Sequence, residues 1–261
     1  MSATVVAPEI GMMLREWRER RRLSQQDLSN LTTVSTRHLS RVETGKARPT
    51  PKMILHLAEN LEVPLRQRNQ LLLAAGYAPK FADTALNDPS LSVVMAGLRD
   101  LLDAHLPYPA LLLDDYWELV DANAAVDALL SGFAPELLEP PVNVVRLSVH
   151  PAGLAGRIKN LDQWATHLHH QVLNRTARSR DPRHRELARE ITDLRGEVPR
   201  AEPTGEPVLA MQLEVAGQTL RMYSVAAQLS TAWDVALEGL HLETFLPADD
   251  ATRAFFSTDG K

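Results

Sequence analysis

The 261-residue sequence contains no cysteine, which excludes disulfide staples, thiolate catalysis and cysteine-ligated zinc. No apolar run approaches the roughly 18 to 20 residues of a membrane span, so no membrane partner is expected. The first residues, MSATVVAPEIG, lack the basic region and apolar core of a signal peptide. A soluble cytoplasmic protein is the expectation. There is no phosphate-binding loop, dinucleotide-binding glycine fingerprint or nucleophile elbow, so neither an enzyme nor a cofactor is predicted. Aromatic residues make up only 5% of the chain, yet the 44% hydrophobic content is enough for substantial cores.

Charge is unevenly spread. Residues 1–80 hold 13 Lys/Arg against 7 Asp/Glu, whereas the remainder holds 15 against 26, for an overall −5. A basic module joined to an acidic one fits nucleic-acid contact by the first and a different task for the second.

Ile10 to Arg22 reads as a helix with Met13, Leu14 and Trp17 on one face and a basic remainder that includes Arg18. Ser24 is a good N-cap for the next helix, and Asp27 completes a capping-box-like pair. After a turn at Leu31 to Thr33, a second short helix starts near Ser35. His38, Leu39 and Val42 are spaced to rest on a neighbour, and Gly45 ends the helix where positive φ is expected. This is a helix-turn-helix. Thr50 caps a further helix with Pro51 at its first position. Pro64 restarts the chain for a fifth helix, which Gly76 ends. Residues 1–76 are therefore expected to form an all-α, five-helix DNA-binding domain.

A recognition helix reads bases from its N-terminal residues and from those one turn later. Thr36, Arg37 and Arg41 occupy those positions, and arginine bridges O6 and N7 of guanine bidentately. Phosphate contact or solvation is the alternative for Arg37 and Arg41. Ser35, Lys46, Arg48 and Arg18 are the expected phosphate contacts. The stretch resembles the lambdoid phage repressors and xenobiotic-response-element (XRE) regulators. Ser24-Gln25, Val34-Ser35 and Glu43-Thr44-Gly45-Lys46 stand at matching spacing, within a similarity covering about residues 9–76. The family usually has Gly where Thr33 stands and Ala where Ser29 stands. The resemblance implies a double-stranded DNA operator, base reading by Thr36, Arg37 and Arg41, and a phosphate contact by Gln25. A homodimer on two half-sites about one helical turn apart is expected with it.

Residues 77–90 read as a linker, broken by Pro79 and Pro89, and residues 91–261 as a second, α+β domain. Leu91 to His105 is amphipathic. Ala110 to Asp114 and Trp117 to Val120 form a hairpin, followed by a helix from Asn123 to Leu130. Val142 to Val149 is an apolar run. Asn160 to Arg180 and Arg185 to Leu194 read as helices, and Arg195 to Pro207 as a loop. Val208 to Val215 alternates as a strand, turns at Ala216-Gly217-Gln218 and continues as Thr219 to Ala227. Trp233 to Leu237 and Leu240 to Leu246 read as further strands, before a terminal helix or tail.

The hairpin followed by an Asn-Ala-Ala helix resembles the start of a PAS-type sensor domain. The stretches at 107–114, 119–125, 143–153, 160–164 and 243–250 together resemble the ligand-binding domain of MmyB-like transcription regulators. That resemblance implies a PAS-like fold with an apolar cavity for a fatty-acid-like ligand that also dimerises. Leu111, Leu113, Trp117, Leu119, Val126, Leu130, Leu147, Trp164, Leu168, Met211, Leu213, Met222 and Phe245 are candidates for cavity or core. Asn123, Arg146, His150 and Arg157 are candidate polar groups. His167 and His170 share a helix face, but no third metal ligand stands at a motif spacing, so no metal site is predicted. The combination predicts a ligand-responsive repressor. The alternative is a DNA-binding protein whose second domain serves only dimerisation or partner docking.

Overall fold

Polar caps decide where the first helices begin. In the computed structural model, which describes residues 7–130, 137–179, 181–196 and 207–258, α1 is Ala7–Arg20 and α2 is Gln25–Thr32. Ser24 Oγ accepts from Asp27 N at 3.1 Å while Asp27 accepts from Ser24 N at 2.8 Å, closing the capping box at the start of α2. Helix α3, Thr36–Glu43, is capped by Ser35 through His38 N at 3.3 Å. Helix α4, Pro51–Asn60, is capped by Thr50, with proline at its first position. Helix α5, Leu65–Ala74, follows Pro64, which has no capping side chain. Its first N–H donates instead to Glu238 at 2.7 Å, a cap supplied from 173 residues further on.

The chain divides into two compact units, Met1–Thr84 with Thr231–Glu238, and Ala85–Ser230 with Gly239–Lys261. In the first, Leu14 and Trp17 of α1, Leu28 of α2, Leu39 and Val42 of α3, Ile54 and Leu57 of α4 and Leu71 of α5 form one core. Gly11 lets α1 approach closely, since a Cβ there would lie 2.4 Å from the Val42 carbonyl oxygen.

The stretch expected as a linker is built into this unit as far as Thr84. Phe81 is buried with Leu65 and Val235, and Asn69 binds the backbone at Lys80 and Phe81. Thr84 Oγ1 donates to Asp234 at 2.6 Å. The expected strand at Trp233 to Leu237 is instead the start of a short helix, Val235–Gly239. Asp234 accepts from Ala236 N at 2.8 Å and so turns the backbone into a helix.

The second unit holds a five-stranded antiparallel sheet: β1 Ala110–Leu113, β2 Leu119–Ala122, β3 Met211–Val215, β4 Gln218–Gln228 and β5 His241–Pro247. The order is β2-β1-β5-β4-β3, the α+β, PAS-like arrangement expected. Leu111 stands beside Glu243, which stands beside Ala226, so these three side chains share a face. Helix α6, Ser92–Ala104, precedes the sheet, and α7, Ala124–Leu130, follows the first hairpin.

The apolar run at 142–149 becomes helix α8, Val144–Val149, because Asn143 Oδ1 accepts from Arg146 N at 3.0 Å. It buries Val145, Leu147 and Val149. Helix α9, Leu161–Ser179, and helix α10, Pro182–Arg195, pack on one another, and a last helix, Asp250–Thr258, packs on β4 and β5. The strand expected from Val208 begins only at Met211. The expected loop at 195–207 lies largely outside the described residues.

Candidate DNA-contact face and ligand cavity

Most arginines of the first unit are committed internally. Arg18 is buried. Its Nε donates to Glu43 Oε1 at 2.7 Å, its Nη2 to Glu43 Oε2 at 2.8 Å and its Nη1 to the Leu23 carbonyl at 2.7 Å. The hydrogen bond to Glu43 raises the guanidinium pKa most, and desolvation opposes it. Gln25 Nε2 adds a 2.8 Å bond to Glu43. Glu43 thereby ties α1, α2 and α3 together, and both Arg18 and Gln25, expected at the phosphates, are instead held by its carboxylate. Arg48 is likewise corrected. It donates to the Ala75 carbonyl at 2.6 Å and lies over the Tyr77 ring, which fixes the loop after α3 to the end of α5.

Arg37, Arg41 and Lys46 stand apart from this pattern. All three side chains are exposed, with no ion pair or side-chain hydrogen bond among the described residues. Arg37 and Arg41 lie one turn apart on α3, opposite the buried Leu39 and Val42. Ser35 uses its hydroxyl as the cap, and Thr36 is half-buried beside it. These three cations lie on the outer face and at the C-terminal end of the second helix of the motif, where they present donors to an anionic surface; Arg22 and Lys52 are likewise exposed and unpaired among the described residues.

The turn carries a local cost. Thr33 has φ 58°, in the left-handed region that a β-branched residue occupies at about 1–2 kcal/mol. Its hydroxyl donates to the Thr32 carbonyl at 2.6 Å, offsetting part of that. Thr33→Gly is expected to raise the stability of the first unit by about 0.5–1 kcal/mol, read from a urea midpoint. A lower midpoint would mean that the hydroxyl bond outweighs the strain.

In the second unit an apolar cavity of about 80 Å³ lies between the sheet and α7 to α9. Leu111, Trp117, Leu119, Val126, Leu130, Leu147, Trp164, Leu168, Met211, Leu213, Met222 and Phe245 line it, joined by Leu129, Val142, Val144 and Leu154. Three expected residues stand elsewhere. Leu113 is fully buried in core outside the cavity. Asn123 is a structural bridge, accepting from Ala110 N and donating to the Leu102 and Tyr108 carbonyls. Arg146 pairs with Glu190 at 2.7 Å at the surface. Of the two other polar groups proposed, Arg157 donates to the Glu214 and Leu129 carbonyls and His150 accepts from Ala152 N. The Trp164 indole N–H is buried without a partner among the described residues. His167 lies tilted against the Trp164 ring and binds Gln171.

Beside the cavity is a polar pocket of about 220 Å³, lined by Trp117, Gln171, Asn174, Arg175, Arg178, Ala226, His241 and Glu243. Apart from Trp117, these residues were missed. Their signal is polar side chains at the inward positions of β5, His241 and Glu243, between apolar neighbours. Arg175 pairs with Asp115 at 2.5 Å and covers the Trp117 ring. Burial raises the pKa of Glu243, against a hydrogen bond from Ser224 that lowers it. Burial, with the Arg175 charge second, pushes His241 down to about 4, so its ring is neutral at physiological pH.

Comparison with known families assigns both units. A family model described as a helix-turn-helix domain matches residues 9–71. One described as an MmyB-like transcription regulator ligand binding domain matches residues 94–258. No curated protein matches the chain.

Proposed function

The chain belongs to the MmyB-like transcription regulators, and on that premise we propose that it is a repressor whose hold on its operator is set by a small apolar or fatty-acid-like ligand. Its helix-turn-helix implies DNA and its second domain a small molecule as partners. In this proposal Arg37 and Arg41 read bases, with Thr36 beside them, and Lys46 and Ser35 hold phosphates. Operator occupancy alone blocks transcription, so repression is the simplest output of this domain pair. Both matched families are domains of regulators rather than enzymes, and the cytoplasm, where the operator lies, is the proposed compartment.

The observation that carries the ligand half is the apolar cavity left inside an otherwise filled core. A void of this kind forfeits contacts that a ligand restores, so an apolar guest is stabilised there. The alternative of a purely docking domain has no use for such a void. Homodimerisation draws support from α6, whose outer face exposes Val93, Ala96, Gly97 and Leu101, apolar and small groups suited to a close self-contact. The route for the signal is chain continuity. Strand β5, which carries Glu243 and Phe245, begins three residues after the end of the segment 231–238 that belongs to the first unit. A ligand shifts DNA affinity only through its differential affinity for the two arrangements.

Val126 lines the cavity and is buried. Val126→Phe is expected to fill it and to abolish the decanoate adduct expected for the unaltered chain in native mass spectrometry. Overpacking should cost no more than about 1–3 kcal/mol, which circular dichroism checks. An adduct retained by the variant, or absent from the unaltered chain, contradicts the reading.

A further inference from the structure

We propose that Thr231–Glu238 is a detachable clasp on the DNA-binding unit, docked on Phe81, Thr84 and the start of α5, and that its docking is the step through which the second unit sets DNA affinity. The inference rests on the ligand-responsive reading above and names the element that moves.

The connection between β4 and β5 is longer than its strands require. The two pair up to Gln228 and His241, and antiparallel neighbours are usually joined by about two to five residues. Here residues 229–240 join them, and 231–238 lie within the first unit. The contacts made there are specific. Val235 N donates to the Ala82 carbonyl at 2.8 Å, and Thr84 donates to Asp234 from both its amide and its hydroxyl. The Trp233 ring stacks on Phe81 with centroids 6.4 Å apart, and Leu65 N donates to Glu238. They are also few. Leu65, Phe81 and Val235 form a small buried cluster apart from the main core of the unit, and Trp233 stays largely exposed. A segment held by so few buried contacts opens at lower cost than the core beside it.

What the clasp holds leads to α3. Pro64 gives α5 no capping side chain, so release of Glu238 leaves the first turn of α5 free to fray. The other end of α5 seats the loop after α3. Arg48 of that loop donates to the Ala75 carbonyl at 2.6 Å, and Tyr77 Oη donates to the Pro49 carbonyl at 3.2 Å. The loop in turn closes on α3, where Lys46 N and Ala47 N donate to the Arg41 carbonyl at 2.7 and 3.0 Å. On its other side the clasp runs into β5, whose Glu243 and Phe245 line the apolar cavity. A guest that displaces β5 therefore pulls on Glu238 through the chain itself. Docked and released clasp are the two states that both sites bias: DNA favours the docked one, the guest the released one.

The test uses the absence of cysteine. In the full chain, Val235→Cys places a single thiol at a buried position of the clasp, and its rate of labelling by iodoacetamide tracks the released fraction when docking is fast. Decanoate is expected to speed labelling at least roughly threefold, and a duplex enriched from a random DNA pool to slow it by a similar factor, as reciprocal coupling requires. Ala58→Cys, in the main core of the same unit, should not gain with decanoate, which separates clasp release from general loosening. Adding Asp234→Asn and Glu238→Gln to Val235→Cys should make labelling fast from the start and indifferent to decanoate. If Val235→Cys does not fold by circular dichroism, iodide quenching of Trp233 in the unaltered chain gives the same readout, since the other three tryptophans are buried. A decanoate adduct in native mass spectrometry with a labelling rate that decanoate does not move, or an equal gain at Ala58→Cys, overturns the clasp and leaves the ligand reading intact. If no adduct forms, the ligand reading fails and the duplex decides the clasp alone: a labelling rate that the duplex does not slow overturns it.

Discussion

Replacing Arg18 by alanine is expected to destabilise the first unit by about 3–5 kcal/mol, the usual consequence of leaving a buried charge without its partner. Glu43 is buried, and three of its hydrogen bonds come from Arg18 and Gln25. With Arg18 gone, only the amide of Gln25 remains, among the described residues, against a carboxylate that water barely reaches. Small domains are stable by about 5–15 kcal/mol, so the loss is a large share, and thermal unfolding followed by circular dichroism will show it. The control is the double variant Arg18→Met, Glu43→Leu. Exchanging a buried ion pair for packed apolar side chains is commonly neutral or stabilising, so the double variant should recover most of the loss. A double variant no more stable than Arg18→Ala would show that packing by Arg18, not its charge pairing, holds the helices together. DNA affinity should follow stability in this series, because the pair stands behind α3 and not on its outer face.

Arg37→Ala and Arg41→Ala should show the opposite combination, with a fold as stable as the unaltered chain and sequence discrimination lost. Both side chains are exposed and unpaired among the described residues, so truncation removes no intramolecular contact. Each bidentate arginine–guanine contact discriminates by about 1–3 kcal/mol. Preference for a site enriched from a random DNA pool, measured against scrambled duplex, should fall accordingly in each variant. Lys46→Ala is the contrast. It is expected to weaken all sequences alike and to reduce the slope of log affinity against log salt by about 1. Full discrimination retained by both arginine variants would remove α3 from base reading.

The first unit was legible because its signals are local. Ser24 with Asp27, Ser35, and Thr50 with Pro51 each fix a helix start within four residues, and the structure uses all of them. Arg18 was misplaced because a basic residue beside a helix-turn-helix looks like a phosphate contact. Its partner Glu43 lies 25 residues away in sequence, and only tertiary packing brings the two together. Trp233 to Leu237 shows the reverse error. Its apolar content reads as strand, yet Trp233 is 75% exposed and the Asp234 cap decides the conformation.

In the second unit the cavity wall was largely legible, since inward positions on helices and strands follow from period. Asn123 and Arg146 were chosen for polarity alone, and polarity does not reveal whether a group is already satisfied. The polar pocket was not legible, because the sequence marks Asn160 to Arg180 only as a helix and not what lies opposite its inward face. Its inward face changes character at Gln171, and that change has meaning only once Glu243 of β5 is placed opposite.

The central claim is that a ligand in the second unit changes the DNA affinity of the first. Fluorescence anisotropy of the full chain on its selected site, with and without saturating decanoate, tests it most directly. At least a threefold change in dissociation constant is predicted, with no change for Val126→Phe. Decanoate bound by mass spectrometry, with an operator affinity that does not move, would contradict it.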